Sequence, residues 1–184
     1  MFATHNSSTG EKPYNFWAKY FQFIAKCQDK TLMTQYVYGV RLFDIRVRYD
    51  KNNELRCCHG LAQYDMTLRS IVNNFIYAPS VPTINVTYEG KLAKEKQGQF
   101  VRDVLNVVGT TTHSVKLGYI AIKKPNWTII HTTSDQLPYV VNYTKIVGWK
   151  VLLPFPKLWY WIKRKDISEN RLKHSIELLM EDFV

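Results

Sequence analysis

GVRLFDIRVRYDKNNELRCCHG, residues Gly39 to Gly60, carries two unlike patterns on one short run. From Phe43 onward Phe43, Ile45, Val47 and Tyr49 fall on one side and Asp44, Arg46 and Arg48 on the other, the period-2 signature of a strand with an apolar and a charged face. Asp50-Lys51-Asn52-Asn53 reads as a turn, and Glu54 to His59 as a short return strand. Antiparallel pairing across that turn without a bulge predicts Tyr49 opposite Glu54, Arg46 opposite Cys57 and Asp44 opposite His59. Directly opposed residues share a face. A carboxylate, a guanidinium and an imidazole are then expected within reach of one another.

Upstream of this hairpin, Thr4-His5-Asn6-Ser7-Ser8 opens a polar loop that ends near Gly10 and Pro13. Taken alone, a loop histidine such as His5 is most often solvated or bonded to backbone. Tyr14 to Lys26 is expected to be a helix, with Phe16, Tyr20, Phe23 and Ile24 at helical spacing and packed into the core. Thr31 caps a short helix over Leu32 to Tyr38, which Gly39 ends.

Downstream, Asp65 or Thr67 starts a capped helix with Leu68, Ile71, Val72 and Phe75 on one face. Pro79 and Pro82 bracket a loop, and Val81 to Tyr88 is a strand leading to Glu89-Gly90. Strand ends of this kind gather binding residues in α/β barrels. Lys91 to Gln99 grades into a helix with Phe100, Val104, Leu105 and Val108 on its apolar side, ending at Gly109. Lys116 to Ile122, Trp127 to His131 and Ile146 to Leu153 read as further strands. The alternation of strands and helices predicts an α/β architecture, a largely parallel sheet around one hairpin. Leu158 to Lys165, LWYWIKRK, sets large aromatics beside cations; it suits a lipid interface, base stacking, or a helix with one buried aromatic side. Asn170 to Phe183 is amphipathic and is expected to be a closing helix.

Composition narrows the setting. The 184 residues form one expected domain, 1–184, and 46% hydrophobic with 14% aromatic content excludes a disordered tail. No run is long and apolar enough to cross a bilayer as a helix. Three cysteines, two of them adjacent at Cys57 and Cys58, make neither a disulfide framework nor a zinc spacing. MFATHNSSTG lacks the basic-then-apolar pattern of a signal peptide, which leaves a cytosolic chain or a start further upstream. The net charge of +10 favours an anionic partner without choosing among nucleic acid, phospholipid and plain solubility.

THNSSTG, then QDKTLMTQYVYGVRLFDIRVRY, then LRCCHGL together resemble the X region of phosphatidylinositol-specific phospholipase C. The order is loop histidine, capped helix, G-V-R-x-x-D-x-R strand, and H-G closing the return strand. The resemblance covers Thr4 to Gly90 most closely, weakens through KIVGWKVLL, and leaves residues 155–184 unassigned. It implies a distorted TIM (β/α) barrel with its site at the C-terminal mouth of the strands. Such a barrel takes about 250 residues, so an incomplete one is expected.

The resemblance also implies roles. His5 stands where a general base takes the proton from the inositol 2-hydroxyl, and His59 where a general acid protonates the glycerol oxygen. Arg46 matches the arginine that holds the phosphate, and Asp44 a carboxylate that orients the cluster. Asn6 and Glu89 are expected substrate contacts. The products of such enzymes are diacylglycerol and an inositol cyclic phosphate. The implied partner is phospholipid at a membrane surface, met by peripheral contact, with neither nucleic acid nor a stable protein partner required.

These residue types suit the chemistry. An imidazole, with an unperturbed pKa of about 6.5, can accept or donate a proton near neutrality. A guanidinium held on a strand offers a permanent planar charge to phosphate oxygens. In calcium-dependent relatives the position two after the strand carboxylate is itself a carboxylate. Arg46 occupies it here and would repel a cation, so no cofactor and no metal is expected. Asn6 departs from the aspartate that bacterial members carry after the first histidine, and no late-strand carboxylate is evident as a brace for His5; Asp135, Asp166 and Asp182 lie outside any matching motif. A catalytically weak module that binds anionic lipid or a protein, and a nucleic-acid binder using Trp159 to Lys165, are the competing readings. A glycerophosphodiesterase would need an H-R-G pattern that is missing.

Overall fold

The alternating run becomes a ten-residue strand because its apolar residues share one core with neighbouring strands and helices. The computed structural model describes residues 2–4, 6–21, 26–109, 114–124, 128–133, 139–140 and 179–181. In chain order these are β1 (Phe2–Thr4), a 3-10 turn (Ser7–Gly10), α1 (Phe16–Tyr20), α2 (Leu32–Val37), β2 (Val40–Tyr49), β3 (Leu55–His59) and β4 (Ala62–Thr67). There follow α3 (Leu68–Asn74), β5 (Thr83–Lys91), α4 (Lys94–Gly109), β6 (Lys116–Lys124), β7 (Thr128–Thr132), β8 (Tyr139–Val140) and β9 (Leu179–Glu181).

The sheet runs β7-β6-β5-β2-β1-β9-β8, with β3 attached to β2 and β4 to β3. Neighbours β6-β5-β2-β1-β9-β8 are all parallel. Among the described residues this path does not close on itself, and these residues form the distorted, incomplete α/β barrel that the resemblance implies. It holds more antiparallel structure than one hairpin: β4 continues the meander from β3, and β7 turns back on β6. β4 went unread in the sequence because AQYDMT has only two buried positions, Ala62 and Tyr64, before polar residues resume.

One face of the sheet carries Phe43, Ile45 and Val47 of β2 and Ile84, Val86 and Tyr88 of β5. They form a single core with Ile71, Val72 and Phe75 from the α3 side and Phe100 and Val104 of α4. Each such side chain contributes about 1.5–3 kcal/mol by leaving water. Thr31 caps α2 by accepting the Thr34 N–H, and Thr67 and Ser70 make a reciprocal capping box on α3. Gly39, at φ 96°, ends the α2 segment as expected.

The hairpin register differs from the no-bulge expectation by one residue. Observed pairs are Val47 with Cys57, Arg48 with Arg56 and Tyr49 with Leu55. The cause lies in the turn. The Asp50 N–H donates to the Glu54 carbonyl at 2.9 Å and the Asn53 N–H to the Asp50 carbonyl at 3.1 Å, while Asn53 adopts φ 58°. Asp50 closes on Glu54, so the turn with its left-handed residue holds three residues, Lys51 to Asn53, where the expected register leaves two. Asp44 and His59 are therefore not a cross-strand pair; what links their neighbourhoods comes from β5.

Other expectations change as well. Helix α1 is five residues long, and its inward residue is Ala18. Phe16, Trp17 and Tyr20 are 60%, 45% and 66% exposed, so these aromatics are surface and not core. Phe23 and Ile24 lie outside the described residues. Leu105 is half-exposed on α4. Leu179–Glu181 is a strand beside β1 and not part of a helix, because β1 has a free parallel edge there. The remainder of 170–183, and the expected elements at Ile146 to Leu153 and Leu158 to Lys165, lie outside the described residues, as do Trp127, Asp135, Asp166 and Asp182.

Candidate active site

The sheet face opposite the core is polar. Alternation on β2 and β5 puts Asp44, Arg46, Asn85, Thr87 and Glu89 there, with Asp44 level with Asn85 and Arg46 level with Thr87. Asp44, Asn85, Thr87 and Glu89 are each buried to within a few per cent. Arg46 lies between the two carboxylates: its Nε donates to Asp44 Oδ2 at 3.3 Å and its Nη1 to Glu89 Oε2 at 3.4 Å. Burial opposes the guanidinium charge, but Asp44 and Glu89 outweigh it and hold the arginine firmly protonated.

Glu89 is the hub. Lys123 of β6 donates to its Oε1, and the Gly60 N–H reaches the same oxygen at 3.3 Å. Burial alone would raise its carboxyl, yet Arg46, Lys123 and His59 together hold it below the ordinary carboxylate range. Arg48 completes the frame by donating from Nη2 to the Glu89 and Gly60 carbonyls, at 2.7 and 3.1 Å. Strand β5 and the His59-Gly60 corner are thus tied together. The His59 imidazole lies within electrostatic reach of Glu89, so imidazole and guanidinium are linked through Glu89, where the sequence reading expects strand pairing with Asp44.

The loop bearing the first histidine is anchored to the same carboxylate as Arg46. The Asn6 N–H donates to Asp44 Oδ2 at 3.2 Å, with Asn6 itself in the left-handed region at φ 49°, which asparagine tolerates. Thr4 pairs in register with Phe43 on β2. His5 lies outside the described residues. Asn6 is 1% exposed, and its Oδ1 has no hydrogen-bond partner among the described residues; neither does Thr87 Oγ1.

His59 is half-buried at the end of β3, with Nδ1 3.9 Å from the sulfur of Cys27. The sequence pattern places Arg48 on the charged face of its strand but marks no role for it, nor for Cys27, Lys123 or Tyr119. Lys123 could have been found, since Tyr119, Ala121 and Lys123 alternate along a strand whose end leads to the mouth. Tyr119 is buried within electrostatic reach of Asp44 and Arg46. Cys27 carries no local signal at all.

No family model matches the sequence, and no curated protein matches it either. Solved structures do match. A phosphatidylinositol-specific phospholipase C from Listeria monocytogenes superposes with a TM-score of 0.64 at 12% identity, covering 100% of this chain and 87% of that one. One from Staphylococcus aureus gives 0.61 at 14% identity, covering 100% and 85%. A double mutant of the Staphylococcus aureus protein gives 0.59 at 15% identity, covering 100% and 84%. The fold of this chain is that of the bacterial phosphatidylinositol-specific phospholipases C.

Proposed function

We propose that the protein is a metal-independent phosphodiesterase that cleaves the glycerol-phosphate bond of phosphatidylinositol-type lipids. The observation that carries this reading is the placement of Arg46 between Asp44 and Glu89, with His59 beside Glu89, at one polar end of a phospholipase C-like sheet. His5 takes the proton of the inositol 2-hydroxyl as that oxygen bonds to phosphorus. His59 gives its proton to the glycerol oxygen as the phosphorus-oxygen bond breaks. Diacylglycerol leaves, and the inositol cyclic phosphate remains. Arg46 neutralises the charge that builds on the phosphate oxygens, and Asp44 fixes the direction of its guanidinium. Asn6 and Glu89 meet the inositol ring, and Asn6 Oδ1, which has no hydrogen-bond partner among the described residues, supports this by offering a buried acceptor to a ring hydroxyl.

A permanent guanidinium charge fills the space between the carboxylates that a metal ion would need, which supports metal independence. Peripheral membrane contact is supported by Phe16, Trp17, Tyr20 and Phe21, exposed and mutually stacked next to Lys19. No helix among the described residues is long and apolar enough to cross a membrane. The same exposed aromatics favour a second reading, a lipid-binding module without turnover. Trp159 to Lys165, on which a nucleic-acid reading rested, lies outside the described residues.

Phosphorus NMR of phosphatidylinositol vesicles incubated with the protein in chelator tests the proposal. A new cyclic inositol phosphate resonance is expected, absent with His59→Ala. An unchanged spectrum with retained vesicle binding would overturn it in favour of the binding module.

A further inference from the structure

Cys27 is 4% exposed and lies beside the site, although its sequence neighbours announce nothing. Its sulfur is 3.9 Å from His59 Nδ1, and Asn6 Nδ2 donates to it at 3.5 Å. Its backbone is held in place by one hydroxyl. Thr9 Oγ1 accepts the N–H groups of Cys27 and Gln28, each at 2.9 Å, and donates to the Asn6 carbonyl, also at 2.9 Å. Gly10 allows this close crossing, since a Cβ there would sit 2.0 Å from the Lys30 carbonyl oxygen.

Around the sulfur stand an amide donor, an imidazole and, within electrostatic reach, the Arg46 guanidinium. Positive charge and N–H donors are the surroundings in which a cysteine sulfur acts as acceptor and thiolate. A general acid needs its imidazole charged and its second nitrogen held. The amide of Asn6 cannot supply a negative charge for that.

We propose that Cys27 is a positioning residue for His59: its sulfur accepts the Nδ1–H of the imidazolium, orients the ring and favours its charged form. The proton delivered in the reaction is then the one on Nε2. This rests on the reading of His59 as the general acid. Among the described residues, groups facing His59 include Cys27 from the segment before α2 and Glu89 from β5; Glu89 brings Arg46, paired with Asp44, and Lys123. Arg48 reaches the adjoining Gly60 carbonyl.

The test is an NMR pH titration of the His59 ring, assigned with His59→Gln, in wild type, Cys27→Ala, Cys27→Ser and Cys27→Asp. It is combined with the pH profile of phosphatidylinositol cleavage. Cys27→Ala is expected to lower the His59 midpoint and Cys27→Asp to raise it, with the basic limb of kcat moving the same way. In Cys27→Ala kcat should fall on the order of tenfold with KM little changed. A midpoint common to all variants, or one that rises in Cys27→Ala, overturns the proposal. Should the buried carboxylate of Cys27→Asp prevent folding, the sign in Cys27→Ala and Cys27→Ser decides. If the wild type cleaves no phosphatidylinositol, the functional reading falls, while the titration still decides the pairing.

Discussion

Arg46 on β2 and Glu89 on β5 form an ion pair across adjacent parallel strands, Nη1 to Oε2 at 3.4 Å, with side chains only 15% and 3% exposed. The pair contributes to the rigidity of the site, because a group that turned away would leave its buried partner with one opposite charge in place of two: Asp44 for Arg46, Lys123 for Glu89. For the proposed reaction the guanidinium must present a flat pair of donors. Arg46→Lys keeps the charge but loses that geometry. Cleavage of phosphatidylinositol vesicles should fall by about 10²–10³ in kcat. Near-wild-type turnover in Arg46→Lys would remove Arg46 from the phosphate.

Glu89 also makes stability depend on pH. Its carboxyl is held below the ordinary value of 4.5, so its contribution is complete above that pH and is lost as pH falls through the lower folded value. Glu89→Gln should therefore be less stable than wild type near neutrality, with the gap in urea midpoint closing as pH drops below 4.5. A gap that stays constant down the acid range would mean that the carboxylate charge is not what stabilises the corner.

The turn that sets the hairpin register depends on Asp50. Its Oδ1 accepts the Asn52 and Glu54 N–H groups, and its Oδ2 accepts from buried Arg56 at 2.9 Å. Arg56 keeps partial compensation from Asp65 at 3.8 Å and from the Tyr14 ring at 4.1 Å. Asp50→Ala should cost on the order of 2 kcal/mol in equilibrium unfolding. Arg56→Met, which removes the charge that Asp50→Ala strands, should lessen that loss in the double variant.

Gly118 on β6 lies against Asn85 on the polar face of the sheet. A Cβ there would come within 2.1 Å of Asn85 Oδ1. Gly118→Ala should destabilise by about 1–3 kcal/mol. Combining it with Asn85→Ala, which removes the obstructing amide, should recover part of the loss. Simple additivity of the two would show that the contact does not govern that position.

Cys57 and Cys58 are buried, and burial pushes both thiols up, that of Cys58 to about 12. Neither of them, nor Cys27, is in a disulfide. Alkylation of Cys57 and Cys58 in the folded protein at neutral pH should be slow and become fast in denaturant. Mass spectrometry after a timed pulse would reveal either outcome.

Much of this was legible along the chain because the relevant interactions are local. Alternation of Phe43, Ile45 and Val47 with Asp44 and Arg46 gives β2 its two faces whatever lies around it. Thr31 and Thr67 cap their helices through N–H groups three residues away. Lys94–Gly109 is a helix with Phe100 and Val104 buried for the same reason of periodicity. The misreadings have equally physical causes. A left-handed Asn53 lengthened the turn by one residue and slid the whole register. The aromatic side chains of α1 look like core in sequence, but helical spacing says which residues share a face and not whether another layer covers it.

The residues that make a site possible, Asp44, Arg46, His59 and Glu89, could be named from pattern and resemblance, since strand ends and alternation are properties of the chain in one dimension. Their assembly could not. Glu89 joins Arg46 and His59 only because β5 lies parallel beside β2, and Cys27 meets His59 only because Thr9 pins a distant segment to the loop of Asn6. Contacts between residues dozens of positions apart are set by the packing of whole elements, and no local preference encodes them.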